Sequence, residues 1–291
     1  MYVVAGVTGN TGSAVAETLL SRGKPLRAIV REESKAEAWK KKGAEAVVAS
    51  LSDSATLARA LSGAAGAYLL NPPQYAAEDL IAAQGAVSDS IAEAVQASGI
   101  PHVVLLSSHG AQHAKGTGPI RSLHYMEQAI GNAAKSLTIL RAAFFLENWV
   151  PVLGEVKANG VLPSFLTPGR AIPMVATRDI GRVAAEALLD PPQGTRLIEL
   201  SGPRDWTPED IARVLAEALG REVTVRGLPL EAVVPAFTAA GMSIGSAKLL
   251  EEMYAAINGG RVAPEGGGAI ARRGTLGPED VLAPLLKSAA A

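Results

Sequence analysis

The chain has 291 residues, with 27 Lys and Arg against 28 Asp and Glu and a formal net charge of −1. That length holds one large α/β domain, or one domain with a smaller lobe, and the even charge offers no basic excess for gripping nucleic-acid phosphates. The sequence has no cysteine, which excludes disulfides, thiolate chemistry and Cys-ligated metal or iron–sulfur centres.

From the first residues, short apolar runs alternate with segments of helical period. Residues 2–5 form a buried strand, 13–22 a helix closed by Gly23, and 26–30 a second strand. A helix over 34–42 ends at Gly43, a third strand covers 46–49, and a helix over 53–61 is capped by Ser52 or Asp53. A fourth strand over 67–70, a long helix over 80–98 stopped by Gly99 and Pro101, and a fifth strand over 102–106 complete the first part. Four- to five-residue apolar strands separated by helices predict a parallel sheet covered on both faces. The fold class is therefore α/β: a Rossmann-type doubly wound sheet over 1–150, followed by a smaller, mostly helical lobe over 151–291, some of whose segments return to the sheet.

The alternation continues with a helix near 122–134, a strand over 137–141 and a helix over 148–158. A Gly/Pro-rich stretch follows at 160–173, then a helix near 179–189 and a strand over 197–200. Trp206-Thr207-Pro208-Glu209 is a strong helix start, with Thr as N-cap, Pro at the first helical position and acids in the first turn; that helix ends at Gly220. A short strand at 223–225 and two or three helices come next, and 259–277, with its triple glycine at 266–268, predicts a loop. The opening apolar run lacks a charged leader and is too short for a signal core, and no apolar stretch approaches membrane-spanning length. A cytoplasmic protein without membrane contact is expected.

The most informative segment is Ala5-Gly6-Val7-Thr8-Gly9-Asn10-Thr11-Gly12-Ser13. Its three glycines lie between a strand and a helix. A pyrophosphate needs backbone N–H groups at a helix N-terminus with no side chain in the way. Gly6, Gly9 and Gly12 meet that need, with Thr8, Asn10 and Thr11 between them. Arg31 follows the second strand, 19 positions beyond Gly12. An NAD-specific site places an acid there for the ribose hydroxyls, whereas Arg pairs with a 2′-phosphate. Arg31, with Lys35 assisting from the next helix, predicts NADP(H) in preference to NAD(H), against the opposing presence of Glu32 and Glu33.

These motifs, together with Val30-Arg31, Asn71-Pro72-Pro73, the stretches over 103–111 and 140–148, and Arg178-Asp179-Ile180-Gly181, resemble the NmrA-like branch of the atypical short-chain dehydrogenases/reductases over residues 1 to about 220. The resemblance implies that Gly6 to Gly12 hold the pyrophosphate and Arg31 the adenosine phosphate, with Leu51 near adenine. It places Asn71 and Pro72 along the nicotinamide ribose, Ser107 and Ser108 facing the nicotinamide, and Phe145, Leu146 and Asn148 on the substrate side. Classical relatives pair a Tyr with a Lys four residues later. Here none of the five tyrosines has that partner, and Tyr125 is followed at that distance by Ala129. His124 or Tyr125 is then the candidate proton donor, and adjacent helical residues point about 100° apart, so one of them faces the site.

Phe144, Phe145 and Trp149 offer an aromatic floor for a flat substrate, with core packing as the competing use. Glu147 is expected to cap or pair, and Asp179 to cap a helix start. Ser107, Ser108 and His109 lack the elbow of a hydrolase. His109 and His113 are four apart but interrupted by Gly110, so no metal site is expected. Residues 242–254 carry Leu249, Leu250 and Met253 at helical spacing, as lobe core or a cover over the pocket. The function so implied is NADP(H)-dependent hydride transfer to a small flat electrophile such as a quinone or azo compound. The alternatives are an NADP(H)-binding redox sensor acting through a protein partner, and an isomerase or epimerase. Self-association is compatible with any of them.

Overall fold

A computed structural model describes residues 1–288. The first half runs β1 (Tyr2–Val4), α1 (Asn10–Ser21), β2 (Leu26–Val30), α2 (Ala36–Lys41), β3 (Glu45–Val48), α3 (Ser54–Leu61), β4 (Gly66–Leu69), α4 (Leu80–Ser98), β5 (Val103–Ser108), α5 (Ile120–Ala133) and β6 (Leu137–Ala142). The second half continues with β7 (Phe144–Phe145), α6 (Leu153–Asn159), β8 (Val161–Ser164), β9 (Ile172–Val175), α7 (Thr177–Leu189), β10 (Thr195–Ser201), β11 (Asp205–Trp206) and α8 (Pro208–Leu219). It closes with β12 (Thr224–Gly227), α9 (Val233–Ala239), α10 (Ile244–Asn258), β13 (Ile270–Arg273) and α11 (Pro278–Ser288).

Eight strands form one sheet in the order β13-β10-β6-β5-β4-β1-β2-β3, and every pairing in it is parallel. Side chains alternate between faces, and both faces are apolar. Val4, Val30, Tyr68, Val104 and Leu140 pack under Val15 and Leu19 of α1 and Ile180, Val183 and Leu188 of α7. Val3, Leu69, Leu105 and Ile139 pack under Leu57 of α3, Ile91 and Val95 of α4, and Met126 and Ile130 of α5. The α1–α7 crossing is close because residue 181 is glycine: a Cβ there would lie 2.3 Å from that of Ala14. The strand order reverses between β1 and β4, which opens the crevice where such sheets bind ligands.

The lobe has its own core, in which Leu146, Trp149, Leu162, Trp206, Ile211, Leu215 and Leu282 are buried. Its small sheets are β11-β9-β7 and β12-β8. The cap of α8 forms as its sequence dictates: Asp210 N–H donates to the Thr207 hydroxyl and Thr207 N–H returns the bond to the Asp210 carboxylate, with Pro208 at the first position. The lobe does not begin cleanly after residue 150, because α7, β10 and β13 return to the large sheet.

Several expectations change. The stretch 259–277 is not all loop, since β13 adds an edge strand beside β10. Its side chains are mostly exposed, so no apolar alternation marks it in sequence. The helix expected over 148–158 starts as a 3-10 turn over Leu146–Val152, where Pro151 cannot donate, and becomes α-helical only at Leu153. Strand β8 and the start of β9 lie within 160–173. Asp179 does not cap α7. It is buried inside the first turn and accepts N–H bonds from Thr275 and Leu276, tying the segment after β13 to α7. The N-terminus of α7 is served by Glu147, which accepts from both the N–H and the hydroxyl of Thr177.

Candidate functional site

The carboxyl edge of the sheet carries the site. Gly6 leaves β1 with φ +67°, and a Cβ there would be 2.7 Å from Leu70. Gly12 packs α1 so close to the strand that a Cβ would lie 2.3 Å from the Gly6 carbonyl oxygen. Gly9 is the exposed N-cap of α1 and no side chain caps the helix, so its first N–H groups face the crevice unclaimed. Thr8 and Asn10 are exposed and Thr11 is buried. A phosphate fits this cradle, because the chain brings donors and no obstructing side chain.

Arg31 and Lys35 are exposed beyond the end of β2, and Arg31 has no ion-pair partner among the described residues. The neighbouring acids are engaged elsewhere: Glu32 accepts from Ser34 and Glu33 pairs with Lys40. Leu51 is half-buried against the α3 face after β3. Asn71 is placed otherwise than expected. Its amide nitrogen donates into α4, to the Gln84 carbonyl at 2.7 Å and to Ser88 at 3.0 Å, so the side chain anchors the β4–α4 turn and leaves Pro72 and the backbone to line the crevice.

At the end of β5 the two serines diverge, as alternate strand residues must. Ser107 points toward α5 and donates to Glu127 at 2.5 Å. Glu127 and Arg141 form a buried two-pronged ion pair, and Arg141 continues to Glu265. Burial by itself would lower the Arg141 pKa; the hydrogen bond and charge of Glu127 outweigh it and raise the value. Ser108 points the other way and lines a chamber of about 40 Å³ with His109 and apolar side chains from α5, β7, β9 and α10. His109 is 2% exposed and neither ring nitrogen has a hydrogen-bond partner among the described residues. Burial, reinforced by the nearby Arg141 charge, lowers its pKa to about 4, so the ring is neutral near pH 7.

His124 and Tyr125 separate as expected for neighbours on a helix. Tyr125 is 43% exposed and its hydroxyl donates to Asp89 of α4 at 2.5 Å, so it faces away from the crevice and is not placed to give a proton there. His124 meets the Ala111 carbonyl at 2.8 Å and lines a wider groove of about 310 Å³ with Gln112, Glu127 and Arg141. That groove lies on the outer side of the β5–α5 loop, and its charges are already paired. The smaller chamber at the sheet edge is the stronger candidate for chemistry.

On the substrate side, Leu146 is buried in the lobe core, Asn148 is exposed, and Phe145 packs against the sheet core. Only their neighbour Phe144 lines the chamber. Trp149 is lobe core as well. Another aromatic group, Phe165, Phe237 and Tyr254, has ring centroids 5.4 to 6.3 Å apart. Burial pushes the Tyr254 hydroxyl up to about 12. Helix α10, which carries Tyr254, roofs the crevice. Ser243 and Ser246 at its start donate to the Ala77 carbonyl beyond β4, and Gly118 beyond β5 sits so close under it that a Cβ would lie 2.0 Å from the Leu249 carbonyl oxygen. These residues come from three separate segments, so no sequence window shows them together. His109 carried one signal in sequence: a histidine three positions beyond the fifth apolar run.

Fold and site together define a doubly wound α/β protein whose second lobe closes over a glycine-loop crevice. The chain belongs to the NmrA-like family, whose model matches residues 2–265. It is 26% identical to the NAD(P)H azoreductase of Xenophilus azovorans, over 88% of this chain and 86% of that one. It is 24% identical to quinone oxidoreductase 2 of Escherichia coli (strain K12), over 87% and 86%. Two solved structures share the fold. The NADPH-dependent quinone oxidoreductase of Escherichia coli, complexed with NADPH, superposes with a TM-score of 0.81 at 22% identity, covering 98% of this chain and 99% of that one. The Citrobacter sp. triphenylmethane reductase superposes with a TM-score of 0.80 at 21% identity, covering 99% and 98%.

Proposed function

We propose that the protein is an NADP(H)-dependent oxidoreductase that reduces a small flat electrophile of the quinone or azo class. The observation that carries this reading is the largely apolar chamber at the end of β5, lined in part by Ile257 of α10, in the same sheet edge as the glycine crevice. When bound, the reduced dinucleotide supplies the hydride. Gly6 to Gly12 would hold its pyrophosphate, Arg31 and Lys35 its 2′-phosphate, and Pro72 and Ser108 would border its nicotinamide end. The residues of the chain orient the acceptor and exclude water; the lobe does both by closing over the sheet edge. The names of the relatives support the same class of acceptor.

Fluorescence titration with NADPH and NADH tests the cofactor half: NADPH binds at least tenfold tighter, and equal affinity overturns the role of Arg31. NADPH oxidation against quinones and azo dyes tests catalysis. One observation favours a second reading. Helix α5 presents no Tyr–Lys pair, its tyrosine being turned out to Asp89. Tight NADPH binding with no turnover across the acceptor panel favours that reading, a redox sensor working through a protein partner.

A further inference from the structure

We infer that His109 is the polar anchor of an acceptor-binding chamber, donating a hydrogen bond to a carbonyl oxygen at the tip of a flat and otherwise apolar ligand. The inference rests on the reductase reading for the identity of that ligand; the geometry is independent of it. His109 is 98% buried, yet neither ring nitrogen is partnered among the described residues. His102 and His124 each engage both of theirs. Buried polar groups are paired in nearly all proteins, and an exception calls for a missing partner.

The surroundings say what kind of partner. The chamber walls are Ile120, Phe144, Ile172, Pro173, Ile257 and Val262. The other polar side chain there, Ser108, spends its hydroxyl proton on the His109 carbonyl at 2.9 Å. A resident water needs two to four polar partners, and the described lining side chains offer the minimum of two, Ser108 and His109. A ligand with one oxygen on an apolar body needs one. The volume of about 40 Å³ admits the tip of such a ligand. Gly110, at φ +86° and packed on Val262, holds the turn that keeps the ring in place. A neutral imidazole has one N–H donor and one acceptor nitrogen, so it can bind and polarise an oxygen without being the source of the proton.

The test uses the NADP⁺-loaded protein, so that no turnover is involved, and two probes, naphthoquinone and naphthalene. The chain has no cysteine for the quinone to alkylate. By calorimetry the wild type binds naphthoquinone about tenfold or more tighter than naphthalene. His109→Leu removes that difference, and His109→Gln, which keeps an N–H donor, retains most of it; NADPH affinity is unchanged in both. Equal naphthoquinone affinity in wild type and His109→Leu overturns the inference, as does a wild type that does not distinguish the two probes. Should His109→Leu fail to fold, the nitrogen-15 resonances of His109 in the wild type decide: they shift with naphthoquinone and not with naphthalene, and a spectrum unmoved by either overturns the inference. A lack of NADPH oxidation would remove the reductase reading while leaving these binding results to stand or fall alone.

Discussion

At the scale of single residues, two glycines and one arginine are expected to do separable work. Gly12 is enclosed by backbone, with the carbonyl oxygens of Gly6 and Ala5 at 2.3 and 2.6 Å from where a Cβ would sit. Neither oxygen can move without moving β1, so Gly12→Ala costs about 1–3 kcal/mol, the usual range for overpacking, read from the urea midpoint. At Gly9 the nearest atom is 3.5 Å away. Gly9→Ala therefore keeps the wild-type midpoint and loses dinucleotide affinity, because the added methyl projects toward the phosphates. A matched loss of stability at both positions would contradict that division. With Arg31 on the 2′-phosphate as proposed, Arg31→Glu exchanges a charge-assisted contact for a repulsion; such contacts are worth about 1.5–3 kcal/mol, so NADPH affinity is expected to fall about tenfold to a hundredfold while NADH affinity holds.

At the scale of elements, the ion pair between α5 and β6 fixes the floor under Ser107. Arg141 and Glu127 are 7% and 9% exposed, so removing one partner strands a charge in low dielectric. Arg141→Met is expected to cost about 3–5 kcal/mol by chemical denaturation, and a loss below about 1 kcal/mol would show that water reaches Glu127. Arg141 also holds Glu265, whose N–H, with that of Gly266, is bound by Glu199 of β10. This latch orders the segment that runs into β13. Hydrogen exchange across 262–273 should accelerate in Glu265→Ala with the rest of the sheet unchanged. The elements most legible in sequence were those whose signals are local: the glycine turn into α1, the capping box of α8, the left-handed glycine that ends it. Strand β13 and the outward turn of Tyr125 were not legible. An edge strand borrows its register from its neighbour, and which face of α5 meets the sheet depends on the sheet.

At the scale of the whole molecule, closure of the lobe buries a histidine that is then expensive to protonate. The His109 pKa is near 4 in the folded chain against an ordinary 6.5. A depressed histidine contributes its stability in full above about pH 6.5 and loses it as pH falls toward 4. The difference corresponds to about 3 kcal/mol. His109→Gln should flatten the stability profile of the wild type across that window and leave it unchanged above it. Parallel acid profiles for the two proteins would mean that the chamber opens to water before the imidazole charges.

The sequence by itself determined the layered sheet and the glycine turn into α1, because both are written in local patterns, one strand or one helix turn at a time. The direct match of fold to family follows from those same local patterns. Tertiary structure alone decided the rest: Asn71 turned into α4, Leu146 buried in the lobe, Tyr125 sent to Asp89, and His109 buried with no hydrogen-bond partner among the described residues. Asn71 and Gln84 are 13 positions apart and Tyr125 and Asp89 are 36 apart, so these contacts reach beyond one turn or strand, and the chamber beside His109 forms only when β9 and α10 come together with the end of β5.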